Sequence, residues 1–321
     1  MAAHTWTQDS PGGPWQNFYI SNELLKQAAG QTKILPFTQV PDQKFGAHLG
    51  ETINLYRINR LSLPTVDTLS ETMRIPIDKL TLSTRAITVT EHGRGVEYTN
   101  LNEQLSVFSP SNFLQKELIR QMHYAVDRSA GRAFQSTDSR ICFIPTSATG
   151  GTFDTDGTPS TVASAEFTFA HTGVLADYLA GDIHCPPWSG DEYMGITTRR
   201  TLRGLKSDTL WQSIALYLKD GDLFYRGEAG MTENIRWVQV DVQDTLDNSV
   251  GTSTTIGEGM VFGDEAVARV EVEAPHLRAN PNFNNDFNRT NAVAWYGIYA
   301  FSPFYDVSTD GFARIIRLTS A

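Results

Sequence analysis

The segment 111–134 sets the tightest constraint on what this chain of 321 residues can fold into. Leu114, Leu118, Met122, Ala125 and Ala133 fall on one stripe, flanked by Ile119, Val126 and Ala130. Apolar recurrence at that spacing belongs to a helix and not to a strand. Pro110 suits the first turn after a Ser109 cap, because the N–H it lacks would have no partner there. At 1.5 Å per residue the helix runs for about 36 Å. A face this broad must lie along a sheet or a second core.

What surrounds the helix is extended. Thr52–Leu61 reads as a strand, with Ile53 and Leu55 on one side. Ser62–Thr84 follows as a long, mostly polar stretch broken by Pro64 and Pro76, and Arg85–Glu91 alternates again through Ile87 and Val89. Two extended segments with polar matter between them suit a projecting hairpin; an edge of an ordinary β-domain is the alternative. Residues 145–161, rich in Thr, Ser, Gly and Asp, read as a surface loop. Beyond them come a helix at Thr172–Leu179, a strand at Glu192–Thr197, a helix or turn at Thr198–Lys206 and a helical candidate at Asp208–Lys219. Strands follow at Ile235–Val240, Ala266–Ala274, Ala292–Phe301 and Arg314–Thr319. Long helix, mixed middle and returning sheet together predict an α+β fold.

The first fifty residues read as an arm. Trp6, Trp15, Phe18 and Tyr19 are scattered among Pro11, Gly12, Gly13 and Pro14, with one short helical piece near Asn22–Ala29. There is too little periodic apolar surface for a core of its own. Large aromatics still need somewhere to pack, which a neighbouring surface would supply.

Charge and motifs exclude several functions. A net charge of -10 disfavours a dedicated nucleic-acid binder. Glu233 to Arg278 holds nine carboxylates against Arg236, Arg269 and Arg278. That stretch suits a solvated rim, or a lining that repels packaged DNA. No apolar run approaches the length of a membrane span, and Met1–Asp9 lacks the features of a secretory signal, so an intracellular product is expected. Gly-x-Ser-x-Gly, His-Glu-x-x-His and the phosphate-binding Gly-x-x-x-x-Gly-Lys-Ser/Thr are all missing. Gly93-Arg-Gly95 and Gly257-Glu-Gly259 lack the third glycine of a dinucleotide fingerprint. His123 and Asp127 are read as a pair on a helix face, not as metal ligands. Asp154-Thr-Asp156-Gly157 is read as a turn without the distal acid of a calcium loop. Cys142 and Cys185 are expected to be buried free thiols. Neither catalysis nor any cofactor or metal is expected.

Five ordered segments are similar to the HK97-type capsid-protein fold, and more narrowly to the branch named for the major capsid protein of coliphage N4. They are Arg85–Asn100, a strand with glycines before the long helix; Phe113–Phe134, resembling the spine helix; and Asp191–Leu205, a strand running into a short helix. Phe224–Val238 resembles the family's Gly-Glu-x-Gly turn and following strand, and Met260–Ala268 its glycine before an Ala-containing strand. Ser62–Thr84, residues 145–161 and the arm do not follow the family's pattern.

The resemblance implies a structural subunit that assembles into the icosahedral head of a tailed double-stranded DNA phage. It implies an arm (1–50), an extended loop with flanking strands (51–100), a peripheral domain with the spine helix (101–164), an axial domain (165–225) and the rest of the peripheral sheet (226–321). Implied partners are copies of itself in pentamers and hexamers, portal, scaffold and decoration proteins, and packaged DNA touched non-specifically on the inner face; no membrane is involved. The implied place is the virion shell, after synthesis in the host cytoplasm. Trp6, Trp15, Phe18 and Tyr19 are candidate arm anchors, and Arg57, Arg60, Arg74, Arg85 and Arg94 candidate partners for carboxylates of an adjacent subunit; a solvated strand face is the alternative for each arginine. An encapsulin-like cage shares the implied fold, and a soluble enzyme or binding module is the remaining alternative.

Overall fold

The computed structural model describes residues 33–41, 52–59, 61, 68, 71, 74, 75, 77–106, 110–211, 228–240, 258–280, 287, 289–308 and 311–321. A 3-10 turn at Leu35–Phe37 comes first. Strands β1 (Thr52–Ile58), β2 (Leu82–Thr88) and β3 (Thr90–Thr99) lead into helices α1 (Asn100–Leu105) and α2 (Pro110–Phe134). Next come β4 (Ile141–Pro145), β5 (Gly151–Asp154), α3 (Phe169–Asp177) with a π turn at Tyr178–Asp182, β6 (Tyr193–Thr198) and α4 (Thr201–Ser207). The chain closes with β7 (Glu228–Thr232), β8 (Ile235–Val240), β9 (Glu258–Phe262), β10 (Val267–Asn280), β11 (Thr290–Pro303) and β12 (Ile315–Thr319). The architecture is α+β.

The strands form three sheets. β1 and β2 make an antiparallel pair, β10-β11-β3 a three-stranded sheet, and β5-β4-β12-β9-β6-β8-β7 a seven-stranded one. The larger sheet is covered on both faces, and period-two alternation decides which residue enters which core. Ile235, Trp237, Val261, Ile316 and Leu318 point to the side where Phe167, Leu175, Leu179, Leu202 and Leu205 pack from α3, α4 and their approaches. Met194, Ile196, Val238, Val240, Met260 and Phe262 point to the other, against Ala130, Ala133 and Phe134 of α2.

Helix α2 therefore serves two sheets. Its first half, through Leu118 with Leu114, Met122 and Ala125, covers Tyr98, Val293 and Trp295 of the three-stranded sheet. Its last turns cross onto the seven-stranded one. The helix begins at Pro110, as the sequence predicts.

Other expectations shift. The loop expected at 145–161 contains β5, paired with β4, because Phe153 finds cover: its ring stacks on Tyr178 at 3.8 Å between centroids and meets Phe143 at 4.9 Å. β10 runs past Ala274 to Asn280, since register shifts between Glu271 and His276 accommodate Pro275 without ending the strand. The stretch expected as a helix or turn at Thr198–Lys206 is a turn at 199–200 followed by α4. Of the helix expected at Asp208–Lys219 the described residues are 208–211, with Asp208 extended and 209–211 helical; the piece near Asn22–Ala29 lies outside the described residues.

Trp237 anchors the larger core. It is fully buried, donates its indole N–H to Thr232 Oγ1 at 2.7 Å and meets Phe167 edge-on at 5.5 Å. Its register partner is Gly195, and a Cβ there would sit 2.5 Å from the indole ring. Gly195→Val is thus expected to displace the ring, and Trp237→Ala to cost about 3–5 kcal/mol of folding stability. Denaturant unfolding of the protein measures both.

Candidate assembly interface

The β1–β2 hairpin joins two unlike faces. Its antiparallel register sets Ile53 opposite Ile87, Leu55 opposite Arg85 and Arg57 opposite Ser83 on one face. Those residues turn inward: Ile53 and Ile87 are buried against Ala268 and Val270, with Leu55, Val89, Ala300 and Phe304 beside them. The other face pairs Tyr56 with Thr84 and Ile58 with Leu82. Tyr56 is 69% exposed, Ile58 60% and Leu82 65%. Nearer the tip, Ile77 is 79% exposed, and Ile75 and Leu80 are open as well. Seven of the fifteen large apolar side chains exposed among the described residues lie between Tyr56 and Leu82, so the patch is concentrated on one element. Four of the seven, Ile75, Ile77, Leu80 and Leu82, fall in the stretch read as mostly polar. Ile75, Ile77 and Leu80 are spaced among prolines and polar residues without a clean alternation, and this hid them.

Electrostatics hold the root of the hairpin. Arg57 Nη1 lies 2.8 Å from Asp306 Oδ1, and Arg85 Nη1 lies 3.1 Å from Asp306 Oδ2. Arg85 also reaches Asp138 at 2.8 Å, Ser302 Oγ at 2.8 Å and the Pro303 carbonyl at 3.1 Å. Each strand thus sends one arginine to the same carboxylate. Burial works to raise the Asp306 pKa, but the hydrogen bond from Arg57 and the charge of Arg85 outweigh it, so the acid is held below its ordinary value. Beside this cluster lies a cleft of about 610 Å³ lined by Gln39, Leu55, Arg57, Arg85, Glu265 and Tyr305, among others.

The chain at 33–41 is clamped onto the same body. Asp127 of α2 is buried, and its carboxylate accepts from the backbone N–H groups of Lys33, Ile34 and Leu35 at 3.3, 2.9 and 2.8 Å. Burial raises its pKa, while these three donors pull the other way. This corrects the helix-face pairing with His123: Asp127 caps the 3-10 turn of a segment more than ninety residues away, and His123 is exposed. Phe37 then fills a pocket between Trp188 and Phe262, each at 5.9 Å. Gln39 bridges to β10, donating to the Val267 carbonyl and accepting from the Arg269 N–H.

The residues singled out from the sequence separate accordingly. Arg57 and Arg85 come together, on carboxylates of their own chain. Arg74 is exposed near the hairpin tip, and Arg94 is exposed on β3, an edge strand. Trp6, Trp15, Phe18, Tyr19 and Arg60 lie outside the described residues. Cys142 and Cys185 are free and buried, and burial pushes the Cys185 thiol up to about 11, leaving it protonated at neutral pH. In the turn after β5, Asp154 accepts from Ser160 N and Asp156 from Thr158 N. Among the described residues no group of three His, Cys, Asp or Glu side chains converges as a metal site, and no helix is long and apolar enough to cross a membrane.

No protein-family profile and no curated protein matches the sequence. Solved structures do match along nearly the whole chain. A chain of the cyanophage Pam1 capsid asymmetric unit aligns with a TM-score of 0.69 at 16% identity, covering 95% of this chain and 96% of that one. The acid-stable capsid of Helicobacter pylori bacteriophage KHP30 gives 0.67 at 12%, with 95% of both chains covered. The capsid of Ralstonia phage GP4 gives 0.65 at 13%, covering 97% of this chain and 96% of that one. The fold is HK97-like. Helix α2 and the β1–β2 hairpin are the elements for which the sequence resemblance implied a spine helix and an extended loop.

Two outcomes follow from these anchors. Asp306 has a folded pKa below its unfolded value, so the stability it lends is full above the unfolded value, about 4, and is lost as pH falls through the folded one. Protection factors at the hairpin root, the exchange rates divided into those of an unstructured chain at the same pH, are therefore expected to fall on acidification, and Asp306→Asn to remove most of that pH dependence. Asp127→Ala would leave three backbone donors without their acceptor. The expected loss is about 2–3 kcal/mol, with Asp127→Asn costing less, by denaturant unfolding.

Proposed function

We propose that this chain is the major shell subunit of a tailed-phage head, acting by self-assembly and without catalysis. The observation that carries the reading is the outer face of the hairpin, where Tyr56, Ile58 and Leu82 stand in solvent on an element anchored at its root, with Ile77 exposed in the stretch between its strands. Apolar patches on a soluble monomer are usually small, and a larger one marks a contact surface. Covering each of these side chains is worth about 1.5–3 kcal/mol before the cost of ordering. One such contact is modest. Repeated around every subunit of a closed lattice, it stabilises the particle collectively.

The likeness of the fold to phage capsid proteins supports this reading, as does the order of the five sequence segments, which favours the coliphage N4 branch. On the same reading, 101–164 and 226–321 form the peripheral domain, 165–225 the axial domain, and the arm with its aromatics reaches a neighbour. Arg74 and Arg94, exposed and away from the root cluster, are the arginines best placed to meet a second copy. Portal, scaffold and decoration proteins are further partners. The subunit is made in the host cytoplasm and ends in the virion.

The test separates folding from assembly. Ile58→Lys with Leu82→Glu changes two exposed positions and sets opposite charges across the strand pair, so stability should shift by no more than about 0.5 kcal/mol. Electron microscopy should then show free subunits or open fragments where the unsubstituted chain closes shells. Normal closed shells from the double variant would refute the assignment of this face.

A further inference from the structure

Among the described residues His171 is the only histidine that is fully buried. It is the third residue of α3, and both of its ring nitrogens are committed. Nδ1 lies 3.0 Å from the Thr168 N–H, a group that can only donate, so Nδ1 carries no proton. Nε2 therefore carries it, and donates to the Ser147 carbonyl at 2.9 Å. One neutral ring thus joins the start of α3 to a turn twenty-four residues earlier. That turn closes on itself, with the Thr146 and Ser147 N–H groups both donating to the Gly150 carbonyl, at 3.2 and 3.1 Å. Thr168 Oγ1 adds a bond to the Ala148 carbonyl at 2.8 Å.

The surroundings suit the neutral ring alone. Phe143 of β4 and Phe167, on the approach to α3, pack against it with centroids at 5.6 and 5.8 Å. The turn offers it only the Ser147 and Gly150 carbonyls. The carboxylates of the neighbouring elements are engaged or turned away. Glu166 is exposed and lies against Gly204, and Asp208, after α4, accepts from the Phe169 N–H. Glu233, between β7 and β8, is exposed beside Gly173, and Asp177 and Asp182 are exposed at the far end of α3. A second proton would arrive at Nδ1, where the Thr168 N–H already points. Thr168 Oγ1, 3.1 Å away, can accept from it, but the Thr168 N–H then loses its acceptor. A full charge would also sit in an apolar setting at the positive end of a helix.

We propose that His171 is an acid-sensitive latch: the neutral ring holds the turn at 146–150 and the start of α3 on the seven-stranded sheet, and its protonation releases them locally. The inference stands on packing within one chain and does not rest on the shell reading. Burial holds the imidazole below its ordinary pKa of 6.5, the Ser147 and Gly150 carbonyls opposing only in part. The stability that His171 lends is therefore full above that ordinary value and is lost as pH falls through the folded one. Release would loosen the cover that Leu175 and Leu179 give the larger core. Segments that open locally while the rest of a fold stays closed are the usual material of such switches.

The test is hydrogen exchange by mass spectrometry on the full chain at about pH 7.5 and about pH 5, read as protection factors. Protection at 146–150 and 168–172 should fall at least about fivefold on acidification. The ceiling is about thirtyfold, the factor by which an imidazole of ordinary pKa favours its proton at pH 5. Strand β9 should change by less than about twofold, since it lies away from the latch. His171→Asn offers Thr168 an acceptor that does not titrate, so its protection should start lower at these segments and stay level with pH. His171→Gln serves if the Asn variant does not fold. An equal fall in the substituted chain would assign the effect to another group, such as Asp208 or Glu233, and overturn the proposal. If neither variant folds, the unsubstituted chain decides alone. A loss confined to the two segments supports the latch, and unchanged protection there, or an equal loss in β9, overturns it.

Discussion

Helix α2 has to bury two stripes in two different cores, and the rest of the subunit is arranged around that requirement. Leu118 faces the three-stranded sheet, while Phe134 faces the seven-stranded one. An element that crosses from one sheet to the other fixes their separation, because a packed core resists sliding by even part of a side chain. Asp127 then uses the same helix to clamp residues 33–35. The helix is thus both a beam and an anchor.

Rigidity inside the subunit gives the exposed hairpin its value. A floppy apolar loop would lose conformational entropy on docking, at roughly 1–2 kcal/mol per residue ordered. Here two arginines on opposite strands share Asp306, and Ile53 and Ile87 are already packed at the root. On the proposed reading, less ordering is left for the moment of contact, so more of the apolar gain survives.

Legibility in the sequence followed the range of the interaction. Helix α2 was readable because its signal repeats over seven turns of local spacing. Strands β1, β2 and β11 were readable from alternation. β4 was missed, since Ile141-Cys-Phe-Ile-Pro145 is buried on both faces and a short continuous apolar run has no period to detect. β5 was hidden in turn-forming residues, where only Phe153 betrayed it. The site suffered more. Arg57 and Asp306 are 249 positions apart, as are Asp127 and Ile34 by 93, and no local pattern announces such meetings. Arg57 and Arg85 meet carboxylates of their own chain, a pairing that no spacing along the sequence shows. The exposed isoleucines and leucines of the hairpin were overlooked because a mean over the segment is polar while one face of it is not.

The central claim is that this subunit keeps an apolar face which only a second copy covers. The most direct measurement is electron cryomicroscopy of the purified chain at a resolution that traces the hairpin. Closed particles in which Tyr56, Ile58 and Leu82 lie buried against a neighbouring subunit are the expected result. A stable monomer, or particles whose hairpin outer face still stands in solvent, would contradict it.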